Sequence, residues 1–174
     1  MDEQTMFALL VDLHRDGPRQ GPGSDAETLR ALELTRIDRD AALDVADIGC
    51  GVSRADRDPG GILAVSEITW LRPDPPDEVR RHWESEYPEI GTASEKIAIL
   101  EREGYDLLGY TVLPPAAWTD AYYRPTGERI PAFLERHQGE PEAAEVARLE
   151  REEADLYRRY QDWFGYGFYI ARRR

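Results

Sequence analysis

Apolar residues recur at helical spacing from the start of the chain. Met6, Leu9, Leu10 and Leu13 fall at i, i+3, i+4 and i+7, which predicts an amphipathic helix over about 3 to 15, ended by Gly17 and Pro18. The following stretch, Gly17 to Gly23, holds too many glycines and prolines for regular structure and reads as a connector, with Arg19 and Gln20 its only long polar side chains. Ser24 followed by Glu27 is the pattern of a capping box, in which each side chain satisfies a backbone donor of the first turn. It opens a helix to about Thr35 with Leu29 and Leu32 on its buried side. After a charged turn at 38–40, Ala42 to Ile48 reads as a strand despite Asp44 in its interior, and Ile62 to Glu67, led in by Pro59-Gly60-Gly61, reads as a second.

The later half alternates in the same way. Pro73 to Pro76 is a stiff break, and Pro76 suits the first position of a helix carrying Val79, Trp83 and Tyr87 at i, i+4 and i+8. Thr92 with Glu95 is a second capping box and Gly104 a natural stop, so 93–103 should be helical. Tyr105 to Leu113 is a strand candidate closed by Pro114-Pro115. Helical segments around 116–123 and 130–137 are expected to be interrupted by Pro125 and Pro131. From Glu142 to about Gln161 the chain is strongly helical, with Val146, Leu149, Leu156 and Tyr160 on one stripe and Asp155–Arg159 as an ion pair. Gly165 to Ile170 alternates as a final strand. The order predicts an α/β domain over 1–174: N-terminal helices over 1–40, two strands over 41–71, and further helices and strands over 72–174.

Composition narrows the function classes. A 41% hydrophobic share supports a folded core, and 33% charged residues a heavily solvated surface. No apolar run approaches the ~20 residues of a membrane span, and the opening Met1-Asp2-Glu3-Gln4 is acidic where a signal peptide is basic, so a cytoplasmic protein without membrane contact is expected. Lys and Arg number 22 against 35 Asp and Glu, a net charge of -13 that repels nucleic acid. The one basic cluster, Arg172 to Arg174, reads as a solvated tail. Cys50 is the sole cysteine, which excludes an internal disulfide and a four-thiolate zinc site. His14, His82 and His137 stand far apart on charged helical faces and read as exposed, without metal spacing. Asp56, Asp58, Gly61 and Glu67 fit four positions of a calcium loop, but Gly60 replaces a ligand, Pro59 stiffens the loop, and its downstream half reads as strand, so no metal is expected.

One motif points to a cofactor. A strand ending in Asp47-Ile48-Gly49-Cys50-Gly51 lets backbone amides approach a ribose-bearing or anionic ligand, because glycine offers no side chain to block them; a tight turn without a ligand uses the same residues. Here the sequence resembles the class I S-adenosylmethionine-dependent methyltransferases of small-molecule type. The leading helix, Arg19-Gln20-Gly21-Pro22-Gly23-Ser24 and the glycine turn are similar to the start of such a domain, Pro59 to Glu67 to its fifth strand, and Glu103-Gly104-Tyr105 onward and Gly165 to Ala171 to its sixth and seventh. The resemblance implies a reduced Rossmann-like sheet of about four strands with flanking helices, and S-adenosylmethionine as cofactor. It implies cofactor contacts from Arg19, Gln20, Gly21, Asp47, Gly49, Cys50 and Gly51, an acceptor lining of Trp70, Trp83 and Tyr87, and Glu67 or His82 to deprotonate a small-molecule substrate.

Between Gly51 and Pro59, however, stand only Val52 to Asp58, where the family carries strands two to four. A parallel crossover with its helix needs at least ~10 to 12 residues. The family's ribose-binding carboxylate and adenine-binding segment therefore have no counterpart, and cofactor binding is lost unless the site is rebuilt. The alternative expectation is a non-catalytic methyltransferase remnant that acts as an interaction module, self-associating through an exposed sheet edge.

Overall fold

The computed structural model describes residues 2–17, 19–38 and 60–174. The strand expected over Ala42–Ile48, the turn at 47–51 and the segment at 52–58 lie outside these residues. The chain divides into two compact units: a helical unit of Met1–Ser24 with Leu113–Gln161, and a sheet unit of Asp25–Val112 with Asp162–Arg174. Among the described residues no helix is long and apolar enough to cross a membrane.

The sheet unit is mixed α/β. Among the described residues its strands are β1 (Ile62–Trp70), β2 (Gly91–Thr92), β3 (Tyr105–Val112) and β4 (Phe164–Arg173), in the order β2-β1-β4-β3. β4 runs antiparallel to both neighbours, and β2 pairs parallel with β1 through Thr69 and Trp70. The three runs resembling the fifth, sixth and seventh strands thus stand side by side, with the last of them in the middle. Register sets Val65, Glu67 and Thr69 opposite Tyr169, Gly167 and Gly165, and Tyr110 opposite Tyr169. Because side chains alternate with a period of two, these residues share one face. A Cβ at Gly167 would stand 2.7 Å from Tyr110 Cε2 and 3.1 Å from Thr69 Oγ1, so a glycine there is what lets the two side chains close over the strand.

Among the described residues three helices belong to this unit. α2 (Asp25–Thr35) buries Ala31 and Thr35, and Leu34 packs onto Gly109 of β3. Leu29 and Leu32 are exposed, contrary to the pattern expected of them. The close approach at Gly109 turns the side of the helix bearing Ala31 and Thr35 to the strands, and Leu32 and Leu29, about 100° and 160° round the helix from Ala31, face away. α3 (Asp77–Glu86) takes Pro76 as its N-cap and buries Val79 completely. α4 (Ala93–Arg102) carries the expected capping box: Glu95 N–H donates to Thr92 Oγ1, and Thr92 N–H donates to Glu95 Oε2 at 2.7 Å. Gly104, at φ 90°, ends it.

The helical unit comprises α1 (Glu3–His14), α5 (Pro115–Trp118), a π-helical turn (Thr119–Tyr123), α6 (Arg124–Arg136) and α7 (Pro141–Tyr160). The prolines do not interrupt the chain as expected, for helical turns follow one another from Pro115 to Arg136. Pro125 sits in the first turn of α6, where its missing N–H costs little, and Pro131 faces solvent, with the exposed Gly127 one turn before it. Leu9, Leu13, Ile130, Phe133, Ala143, Val146 and Ala147 form the core. Leu149 is exposed instead of lying on the α7 stripe, because the buried line runs through Ala143, Val146 and Ala147. Asp155 pairs with Arg158 three residues on, not with Arg159, whose guanidinium lies 5.2 Å from the Tyr160 ring centroid.

Candidate functional site

Among the described residues, polar side chains gather around Glu67 in the sheet unit and around His14 in the helical unit. In the sheet unit the centre is Glu67, on β1. The Tyr87 hydroxyl donates to its Oε2 at 2.9 Å, and Lys96 Nζ, from α4, lies 3.9 Å from the same oxygen and 5.2 Å from the Tyr87 ring centroid. Burial, then the bond to Glu67, pushes the Tyr87 phenol up to about 12. Burial also lowers the Lys96 ammonium, against the pull of Glu67, Glu89 and Glu95. Beside them Thr69 Oγ1 donates to the Glu67 carbonyl at 2.8 Å, which leaves it to accept from Tyr169 Oη at 2.9 Å. The Tyr110 ring lies 4.9 Å from that of Tyr169.

The aromatic residues expected near an acceptor fall in the same unit. Trp70, the last residue of β1, pairs with Phe164, and Trp83 packs on Phe164 at 5.1 Å between ring centroids. His82 stands edge-on to Trp83 at 5.1 Å, and burial lowers its imidazole. The partners of Glu67 are thus Tyr87 and Lys96, and His82 belongs to the aromatic cluster.

In the helical unit the centre is His14. It is 6% exposed, which overturns its expected exposure: the template that placed Met6, Leu9, Leu10 and Leu13 on one face continues to residue 14 at i+8. Its Nε2 lies 3.1 Å from Glu150 Oε1 on α7, and its ring stacks on Tyr122 at 5.6 Å and 11°. Tyr122 belongs to the π-helical turn, a rare element that recurs at functional sites. The next residue, Tyr123, donates to Glu153 Oε1 at 2.9 Å, and burial raises its phenol strongly. Of the residues expected at the amino-acid end of a cofactor, Gln20 donates through Nε2 to the His14 carbonyl at 3.2 Å, Arg19 is half-buried, and Gly21 has open space where a Cβ would stand. Asp47, Gly49, Cys50 and Gly51 lie outside the described residues. His137 is not free on its helix either, for it bridges Asp12 at 3.0 Å and Glu140 at 3.1 Å. Among the described residues no group of three or more His, Cys, Asp or Glu is placed to hold a metal.

The folded chain is similar to several solved structures. One is YjhP from E. coli, at 23% identity and a TM-score of 0.55, over 67% of this chain and 51% of that one. A SAM-dependent methyltransferase from Geobacter sulfurreducens, in complex with S-adenosyl-L-homocysteine, gives 24% identity and 0.55 over 67% and 47%. Another from Thiobacillus denitrificans, with the same ligand, gives 20% and 0.54 over 67% and 48%. The chain has a class I methyltransferase fold. This methyltransferase-like chain spans about half the length of the structures it matches, in keeping with a reduced sheet. No protein-family model matches it, and no curated protein does.

Proposed function

We propose that this chain is an S-adenosylmethionine-dependent methyltransferase-like protein that moves a methyl group to a small molecule. The observation that carries the reading is its similarity in fold to two methyltransferases held in complex with S-adenosyl-L-homocysteine. We assign Arg19, Gln20 and Gly21 to the amino-acid end of such a cofactor on their chemistry, an arginine pairing with a carboxylate and an amide oxygen accepting from an ammonium; Gln20 Nε2 donates to the His14 carbonyl, and Gly21 has open space where a Cβ would stand. Asp47, Gly49, Cys50 and Gly51 would form the turn beside it. When bound, the cofactor supplies an electrophilic methyl group, and transfer then depends mainly on positioning. Trp70, Trp83 and Tyr87 offer aromatic surface to the acceptor. Glu67, already holding Tyr87, would position rather than deprotonate, and His82 is the alternative base in that unit.

Isothermal titration of the chain with S-adenosylmethionine and S-adenosyl-L-homocysteine tests this. Binding is expected, weakened about tenfold or more by Arg19→Ala, as loss of one charged contact implies. Absence of heat with either ligand removes the reading.

One observation favours a second reading, a non-catalytic interaction module. On its outer edge β1 pairs with β2 only through Thr69 and Trp70, so Ile62 to Ile68 have no strand partner there among the described residues. Uncovered edges invite strand pairing with another chain. A concentration-dependent dimer in light scattering, without cofactor binding, would support it.

A further inference from the structure

Lysine and arginine number 22 in this chain, and Lys96 is the only lysine. It is also largely withdrawn from solvent. Its side chain is 12% exposed, whereas those of Arg80 and Arg102, in the same unit, are 43% and 70% exposed. Desolvation treats the two kinds of cation differently: a guanidinium keeps its proton, while an amine can give it up and become a nucleophile. Lys96 Nζ donates to the Glu89 carbonyl at 3.3 Å, lies 3.9 Å from Glu67 Oε2 and stands 5.2 Å from the Tyr87 ring centroid. All of these groups belong to the sheet unit, and the Glu67 side chain is 36% exposed, so the cluster opens to solvent on that side. Burial lowers the ammonium from its ordinary 10.5, against the carboxylates of Glu67, Glu89 and Glu95, and Tyr166 acts on Tyr87 in turn. Lys96 also stands four residues after the N-cap Thr92, at the edge of the first turn of α4, where the positive end of a helix disfavours a cation.

We propose that Lys96 is a nucleophilic amine that forms an imine with a small aldehyde carrying no negative charge. The amine electron pair forms a C–N bond to the carbonyl carbon and the C=O bond opens to a carbinolamine. The carbonyl oxygen then leaves as water with both hydrogens of the amine, giving a C=N bond, and nothing is oxidised or reduced. Glu67 Oε2 stands where it can relay those protons from nitrogen to oxygen, and the Tyr87 hydroxyl holds the carboxylate in place. The class follows from the surroundings. An imine nitrogen still takes a proton, so Glu67 keeps a cationic partner, which an amide would not give it, and the carboxylates of Glu67, Glu89 and Glu95 disfavour an anionic aldehyde. Neither S-adenosylmethionine nor residues 47–51 take part, so the site stands or falls apart from the methyltransferase reading.

Benzaldehyde with sodium cyanoborohydride, which reduces an imine to a stable amine, tests this on the full chain, with peptide mapping by mass to separate Nζ from the terminal amine. The variant Arg102→Lys places a second, exposed amine on the same helix as a reference. At neutral pH Lys96 is expected to be labelled about tenfold or more faster than that reference, and its rate to level off at a lower pH. 4-Formylbenzoate, the same aldehyde with a carboxylate, should label Lys96 more slowly than benzaldehyde does. Lys96→Arg should erase the adduct while keeping a cation beside Glu67. If Arg102→Lys does not fold by circular dichroism, Nα-acetyllysine amide mixed with the unaltered chain serves as the reference. Labelling of Lys96 no faster than the reference, an adduct that survives Lys96→Arg, or equal labelling by 4-formylbenzoate overturns the proposal.

Discussion

The hydroxyl of Tyr87, just past the end of α3, donates to Glu67 Oε2 in β1 across 2.9 Å. Tyr87→Phe removes that bond at a half-buried site, with an expected loss of about 1 kcal/mol in urea unfolding.

The same bond sets a pH dependence. Folding raises the phenols of Tyr87 and Tyr169, each to about 12 from an ordinary 10, burial being the first cause in both. The folded chain therefore holds these protons more tightly than the unfolded one. Their contribution is complete below pH 10 and is lost as pH rises toward 12. Tyrosinate absorbance followed against pH, beside urea midpoints, should show both changes, and Tyr87→Phe should lessen them.

Asp12 gives the opposite sign. Its bonds to Arg136 and then His137 hold the carboxyl at about 2, below its ordinary 3.8, while the bond to Asp12 raises His137 above 6.5. The Asp12 contribution stands above pH 3.8 and fails as pH falls through about 2. That of His137 is full below 6.5 and fades as pH rises through its raised value. Asp12→Asn should flatten both limbs of a stability profile read by circular dichroism.

Two glycines should respond in opposite directions to alanine. Gly167→Ala drives a methyl group into Tyr110, Tyr169 and Thr69, so a loss of about 1–3 kcal/mol is expected. Gly127 is exposed within α6 and nothing stands within 4 Å of its missing Cβ, so Gly127→Ala should stabilise by about 0.5–1 kcal/mol. Thermal unfolding of both variants checks the pair.

Thr92→Ala removes the cap of α4 and should cost about 1 kcal/mol in the same measurement.

Local signals are legible where the chain decides its own shape. The box of Thr92 and Glu95, the stop at Gly104 and the strands at Ile62, Tyr105 and Phe164 rest on neighbours in sequence. Residues whose fate depends on a distant partner are not legible. Leu29 and Leu32 look buried until Gly109 draws the other side of α2 to the sheet. His14 reads as exposed because a histidine on an acidic chain suggests solvent, although its position at i+8 from Met6 and that of Glu150 at i+7 from Ala143 both fall on buried stripes. Lys96 carries no signal, since only the fold brings it to Glu67.

β4 has a consequence for how the protein is made. Among the described residues β1 pairs with β4 and, through two residues, with β2, and β3 pairs with β4 alone; β4 is the last of the four to be synthesised. A nascent chain therefore carries the β1 edge that β4 will pair past the ribosome while about a hundred residues are still to come, an interval in which chaperones, or another chain, can reach that edge first.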